Sequence, residues 1–171
     1  MPSQAIFLTQ LALGYVAALL SFRTYALPWL RAMDRVDAMR AIATFHSFRF
    51  FGLIFILPGV VGGKLPPGFA TVAAYGDFAT GVLALLALLT IRARTLFWLF
   101  AVAFNVVGAV DIIVDYYHGI ELDIGSIAGQ LGNGYAVVIL YVPALMITHV
   151  MAFYLLTRPH KEPVLRAAAA Q

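Results

Sequence analysis

Polar residues along this chain fall in short clusters between long apolar runs, and that spacing sets most of the expected architecture. Five runs are long enough for apolar helices: Ala5 to Phe22, Ala41 to Gly62, Pro67 to Ile91, Thr95 to Tyr116 and Gly134 to Leu156. Each is close to or above the roughly 20 residues that a helix needs to cross a hydrocarbon layer about 30 Å thick. The clusters between them carry stop and turn signals. GGKLPPG at 62–68 predicts a tight turn, with Pro66 or Pro67 opening the third helix, where a missing N–H is no loss. Arg92 and Arg94 close the third run, and Arg158 with Pro159 closes the fifth. The remaining HKEPVLRAAAAQ is a polar tail expected to fray. RTYALPWLRAMDRVDAMR (23–40) alternates apolar and charged residues around Trp29 and predicts a helix lying on the membrane surface. The first apolar run lacks a basic leader and exceeds the about 7 to 15 apolar residues of a signal peptide, so it is expected to remain as a helix.

Composition sharpens this picture. The chain is 63% hydrophobic and 11% charged, with a mean hydropathy of +0.92, where soluble domains are about 25% charged. The expectation is an all-α polytopic membrane protein forming one integral domain over residues 1–171. Helices two to five would form a four-helix bundle of two hairpins, with the first helix outside it. A net charge of +3 does not point to nucleic acid, because the Lys and Arg residues sit at the ends of apolar runs. They read as topology signals. With the N-terminus outside, nine cations (Arg23, Arg31, Arg35, Arg40, Arg92, Arg94, Arg158, Lys161 and Arg166) lie inside and only Lys64 outside. That bias predicts a bacterial inner-membrane protein with its C-terminus in the cytoplasm. The absence of cysteine excludes disulfides, thiolate metal sites and thiol catalysis. Phe, a polar residue, Gly and Ile recur between FRFFGLIFI (48–56) and FNVVGAVDI (104–112) at a spacing of 56, which reads either as a repeat of two hairpins or as chance similarity between apolar helices.

Several polar residues interrupt the apolar runs. At 1.5 Å per residue from the predicted inner ends, Arg49 and His149 lie about 13 Å deep, His46 about 9 Å, Asn105 about 16 Å and Asp77 about 22 Å, with Asp111 nearer the outer third. An unpaired Arg or Asp at such depth costs from about 2.5 to more than 10 kcal/mol. Arg49 is therefore expected to face inward and pair with Asp77, extended by Asn105 and His149. Replacing Arg49 and Asp77 together should then be better tolerated than replacing either alone. Helix faces agree with an inward polar band. Ala73, Asp77 and Gly81 form a stripe at four-residue spacing, and Asn105, Gly108, Asp111 and Asp115 share an arc of about 120°.

Such a band is either structural glue between helices or a ligand pocket, ion path or proton relay. The pocket reading places Arg49, Asp77, Asn105, Asp111 and His149 around a small amphipathic or anionic ligand, quinone- or lipid-like, with Arg49 on its polar head. Soluble-enzyme signatures are absent, since no G-x-S-x-G, P-loop, GxGxxG or H-E-x-x-H occurs, and whether the chain is an enzyme stays open at this point. One alternative is a non-catalytic subunit of a larger membrane complex, or a homo-oligomer in the lipid. Another is a haem carrier using His46 and His149 as axial ligands, with Arg49 on a propionate. In DYYHGIELD (115–123), Asp115, His118, Glu121 and Asp123 contain the donor types of a divalent-cation site. IGSIAGQLGNG after it reads as a lid over the outer mouth.

One set of motifs carries a resemblance. Arg49 with Gly52, then Leu65, Pro66, Phe69 and Ala70, then Gly76, Asp77 and Gly81, then Asn105, Gly108 and Asp111, and finally His149 form a pattern. It resembles a family of small bacterial integral membrane proteins without an established activity. His46 and Asp115 fall outside that pattern. The hairpin arrangement is also loosely similar to DoxX-like membrane proteins, some of which are subunits of quinone-linked oxidoreductases. That resemblance implies a quinone as one candidate ligand.

Overall fold

A computed structural model describes residues 2–157, so the tail and the cations Arg158, Lys161 and Arg166 lie outside the described residues. Among these residues all regular structure is helical. Five helices are long and apolar enough to cross a membrane: α1 (Ser3–Ala32), α2 (Arg35–Ile56), α3 (Pro67–Leu89), α4 (Arg94–Glu121) and α5 (Gly134–Thr157). α2 and α4 each pack against both α3 and α5, so the four close into an antiparallel bundle. α1 lies outside it against α5 and against the short 3₁₀ segment Ile124–Leu131.

Two prolines shape the helices that touch α1. Pro28 and Pro143 lack the N–H that would continue an α-helical ladder, and the backbone just before each widens to i→i+5 bonding. Leu27 N–H donates to the Phe22 carbonyl and Val142 N–H to the Val137 carbonyl, giving π-helical stretches at Phe22–Ala26 and Val137–Tyr141. Pro143 also leaves the Ile139 carbonyl without its i+4 donor. Gly14 sits against that carbonyl, where a Cβ would overlap its oxygen. It is one of only two buried residues in α1, the other being Leu30.

α2 changes winding midway. Over Arg35–His46 it is α-helical, and the buried positions Ala38, Met39, Ile42, Ala43 and His46 keep three- and four-residue spacing. Over Ser47–Ile56 it is a 3₁₀ helix, in which residues three apart eclipse. Arg49, Gly52 and Phe55 are accordingly buried on one line.

The helix ends depart from expectation in two places. No separate surface helix forms over 23–40: residues 23–32 continue α1 through the π turn, and Arg35 already opens α2, capped by Asp34. The second span also ends six residues earlier than the apolar run suggests. Leu57-Pro58-Gly59-Val60 turns back, with Gly59 at φ 81° and Val60 N–H donating to the Leu57 carbonyl at 3.2 Å. Those features fit a type II turn, which needs a residue tolerant of positive φ at its third position.

The bundle's two halves are filled differently. Toward the end bearing Arg35 and Arg94, small residues (Ala38, Ala43, Ala84, Ala87, Ala101, Ala152) interlock with Met39, Phe97 and Phe104 in a solid core. Arg35 closes this end, stacking 4.7 Å from the Trp98 ring and donating to the Leu156 carbonyl at 2.6 Å. Toward the opposite end, Phe55, Phe69, Ile124 and Leu131 ring an open space.

Candidate functional site

The polar network sits where these halves meet. The Arg49 side chain, 1% exposed, spends four of its five N–H groups on protein acceptors. Nε donates to Asp77 Oδ1 at 2.6 Å, Nη2 to Asp111 Oδ2 at 2.5 Å, and Nη1 to the Gly108 carbonyl at 3.2 Å and to His149 Nε2 at 3.3 Å. The expected Arg49–Asp77 ion pair is present, and Asp111 makes it a triad.

The remaining bonds orient one another. A guanidinium has no acceptor, so His149 Nε2 accepts and its proton lies on Nδ1. That proton goes to Asn105 Oδ1 at 2.9 Å, and Asn105 Nδ2 in turn donates to the Ala101 carbonyl at 2.7 Å. Thr148 Oγ1 donates to the Ala144 and Leu145 carbonyls, so it accepts from His46 Nε2 at 2.9 Å. His46 Nδ1 is left as a buried lone pair without a partner.

Glycines make room for these groups. A Cβ on Gly76 would overlap the Asp111 carboxylate, and one on Gly108 would lie 2.5 Å from Arg49 Nη1 and 2.7 Å from His149 Nε2. Gly81 of the predicted small-residue stripe faces the α2 backbone, where a Cβ would come within 2.7 Å of Phe50 N.

Beside the triad lies a cavity of about 410 Å³. Its walls are apolar, from Phe7, Leu8 and Leu11 of α1, Phe55 and Phe69 across from them, and Ile112. Arg49, Asp77 and Asp115 lie on its inner side, and Gln4 and Asp123 at its outer rim, where Gln4 Nε2 donates to Asp123 Oδ1 at 3.2 Å. Tyr15 of α1 and Tyr116 of α4 share a hydroxyl–hydroxyl bond of 2.8 Å, and Tyr135 donates to Gln10. These bonds hold α1 over the space. Asp115 Oδ1 is buried with no partner. The 3₁₀ segment contributes Ile124, Gly125 and Leu131 to the lining at the end away from the triad.

The five residues expected around a ligand therefore meet in one network but divide into two layers. Arg49 and Asp77 line the cavity; Asp111, Asn105 and His149 do not, and instead hold Arg49 from behind. Arg49 lines the cavity with a single N–H left over for a ligand head. Sequence reasoning left Asp115 out of the site, although its place on the same arc of α4 as Asp111 pointed there.

Two other expectations meet the geometry poorly. Bis-histidine haem ligation requires a macrocycle between the two rings. The His46 and His149 rings are in direct contact, 4.1 Å between centroids, and His149 has both nitrogens engaged. These residues do not fit haem. Nor do Asp115, His118, Glu121 and Asp123 converge: among the described residues no three His, Asp or Glu side chains come together as a metal site.

A family model described as a domain of unknown function, DUF8737, matches residues 6–157. The chain belongs to this family. The match takes in α1 as well as the bundle, so cover and cavity lie within one family domain. No curated protein and no solved structure matches the chain.

Proposed function

We propose that this DUF8737 protein binds a small amphipathic molecule, quinone- or lipid-like, in the cavity beneath α1, without catalysing its conversion. The observation that carries the reading is the cavity itself: about 410 Å³ with apolar walls and an ionic floor. By contrast, the groove of about 420 Å³ between α1 and the other half of the bundle has no charged residue in its lining, and the interior of that half is filled. Ligand pockets combine a mostly apolar lining with a few placed polar groups. A solid inner half makes this a dead-end pocket rather than a channel, reached from the end of the α2–α3 and α4–α5 connections. The nine-to-one cation bias supports an orientation with that end outside a bacterial inner membrane. Fusions of a periplasm-active phosphatase to each of these connections should be active and a fusion between α3 and α4 inactive; the reverse pattern would overturn the orientation.

The test of binding is native mass spectrometry of the detergent-solubilised protein. A retained small molecule, lost on Gly119→Leu, supports the pocket, because Gly119 lines the cavity with open space at its Cβ position. A preparation that retains nothing and takes up neither added quinone nor an added amphipathic amine would sink it.

A second reading treats the network as structural, fixing helix register for a subunit of a larger complex. It is favoured by how completely the network is bonded, with only Asp115 Oδ1 and His46 Nδ1 unpartnered near the triad. That reading expects stable co-purification of another membrane protein and indifference of every function to filling the cavity.

A further inference from the structure

We infer that the cavity selects a cationic head group, so that its ligand class is an amphipathic amine; this rests on the cavity being a ligand site. The argument is charge balance and donor count. One guanidinium faces Asp77, Asp111 and, one helical turn beyond Asp111, Asp115. With all four ionised the cluster carries two excess negative charges in a low-dielectric setting, which protons or a cation must offset. A head that brings positive charge removes that excess, whereas an anionic head adds to it.

Donors and acceptors point the same way. Arg49 has almost nothing left to give a ligand oxygen. The cavity instead offers carboxylate acceptors: Asp77, Asp115 with its buried unpartnered Oδ1, and Asp123 at the rim. No lysine or histidine lines it. An ammonium group is a compact cation with only donors, which suits a lining whose carboxylates face only a few remaining donors, from Gln4, Tyr116 and one Arg49 N–H. The apolar walls from α1, Phe55 and Phe69 would take its hydrocarbon body.

The experiment compares three probes that share one body and differ in head: 4-phenylbutylamine, 4-phenylbutanol and 4-phenylbutyrate. Each is titrated calorimetrically at pH 7 into the full chain in lipid nanodiscs, with empty nanodiscs as the blank. The amine should bind at least tenfold tighter than the alcohol, and the acid weakest. Asp115→Asn should weaken the amine at least tenfold while leaving the alcohol within twofold, and Gly119→Leu should weaken both. If the alcohol or the acid binds best, or if Asp115→Asn leaves the amine unchanged, the head-group inference fails and the pocket stands. If none of the three binds to the wild-type chain, the pocket reading falls with it.

Discussion

The two halves of the bundle are built from similar helices yet solve different problems. In the half closed by Arg35, alanines let α2, α3, α4 and α5 approach until Met39, Phe97 and Phe104 fill what remains. In the other half Phe55, Phe69 and Leu131 keep the helices in contact but leave a space on the α1 side, and α1 covers it with a face that buries little. Apolar packing against lipid gives helices no hydrophobic reason to meet, so close approach depends on small residues and on polar bonds between helices. At the boundary the Arg49 triad supplies those bonds. Beyond it large side chains such as Phe55 and Phe69 hold α2 and α3 together, and the space persists between them and α1. The lesson is that the triad marks where the protein changes from a scaffold into a container.

The strongest way to break that boundary is to remove its cation. Arg49→Met leaves Asp77 and Asp111 facing each other without compensation, and losing one partner of a buried ion network costs about 3–5 kcal/mol. Thermal unfolding in detergent should show a large drop in Tm or no folded protein. The sequence suggests that removing Asp77 as well would rescue the loss. With Asp111 also bound to Arg49, the double substitution still strands one carboxylate. Only Arg49→Met with Asp77→Asn and Asp111→Asn should recover most of the stability. Rescue by the double substitution alone would mean that Asp111 contributes no charge to the network.

That correction shows how far the sequence could be read. The five spans were legible because hydropathy is a property of composition, and the Arg49–Asp77 pair because an isolated charge in lipid is too costly to leave alone. Helix ends were harder. Arg40 interrupts an apolar run without interrupting a helix, so α2 begins at Arg35 rather than Ala41, and its Pro58-Gly59 turn was hidden among apolar neighbours. The shift matters for the site. Counted from the observed ends, Asp77, Arg49 and Asp111 lie about 18, 21 and 25 Å from the same face, so the arginine sits between two carboxylates. The 3₁₀ winding that aligns Arg49, Gly52 and Phe55 and the π turns before Pro28 and Pro143 belong to local backbone geometry that periodicity at 3.6 does not reveal. The cavity was legible only through Arg49 and Asp77 and the segment over its mouth; its place beneath α1 was not, because emptiness has no residue to announce it.

A smaller effect is expected away from both halves, at the start of α2. Asp34 accepts from Val36 N–H at 2.8 Å and Asp37 N–H at 3.0 Å. The backbone bond from Asp37 chiefly holds its carboxyl below the usual range, with a further contribution from Val36. A depressed folded pKa gives stability that is full above the unfolded value, about 3.9, and is lost as pH falls through the folded value. Asp34→Ala should cost on the order of 1 kcal/mol. Its deficit relative to wild type should shrink below about pH 4. A deficit constant down to pH 2 would show that the cap does not act through its charge.

The sharpest comparison uses one substitution twice. Replacing a mid-helix glycine by alanine gains roughly 0.5–1 kcal/mol from the backbone alone. At Gly76 that gain is outweighed, because the new methyl overlaps the Asp111 carboxylate and overpacking costs about 1–3 kcal/mol. At Gly119, late in α4 on the cavity wall, the Cβ meets nothing within 4 Å, so the gain should survive. Gly76→Ala should therefore lower Tm and Gly119→Ala should raise it slightly, measured side by side in the same detergent. Opposite signs from the same chemical change would distinguish the packed boundary at the triad from the open cavity wall without any ligand. Equal destabilisation at both would mean that the space beside Gly119 is filled by the helices drawing in, and the container would lose its wall.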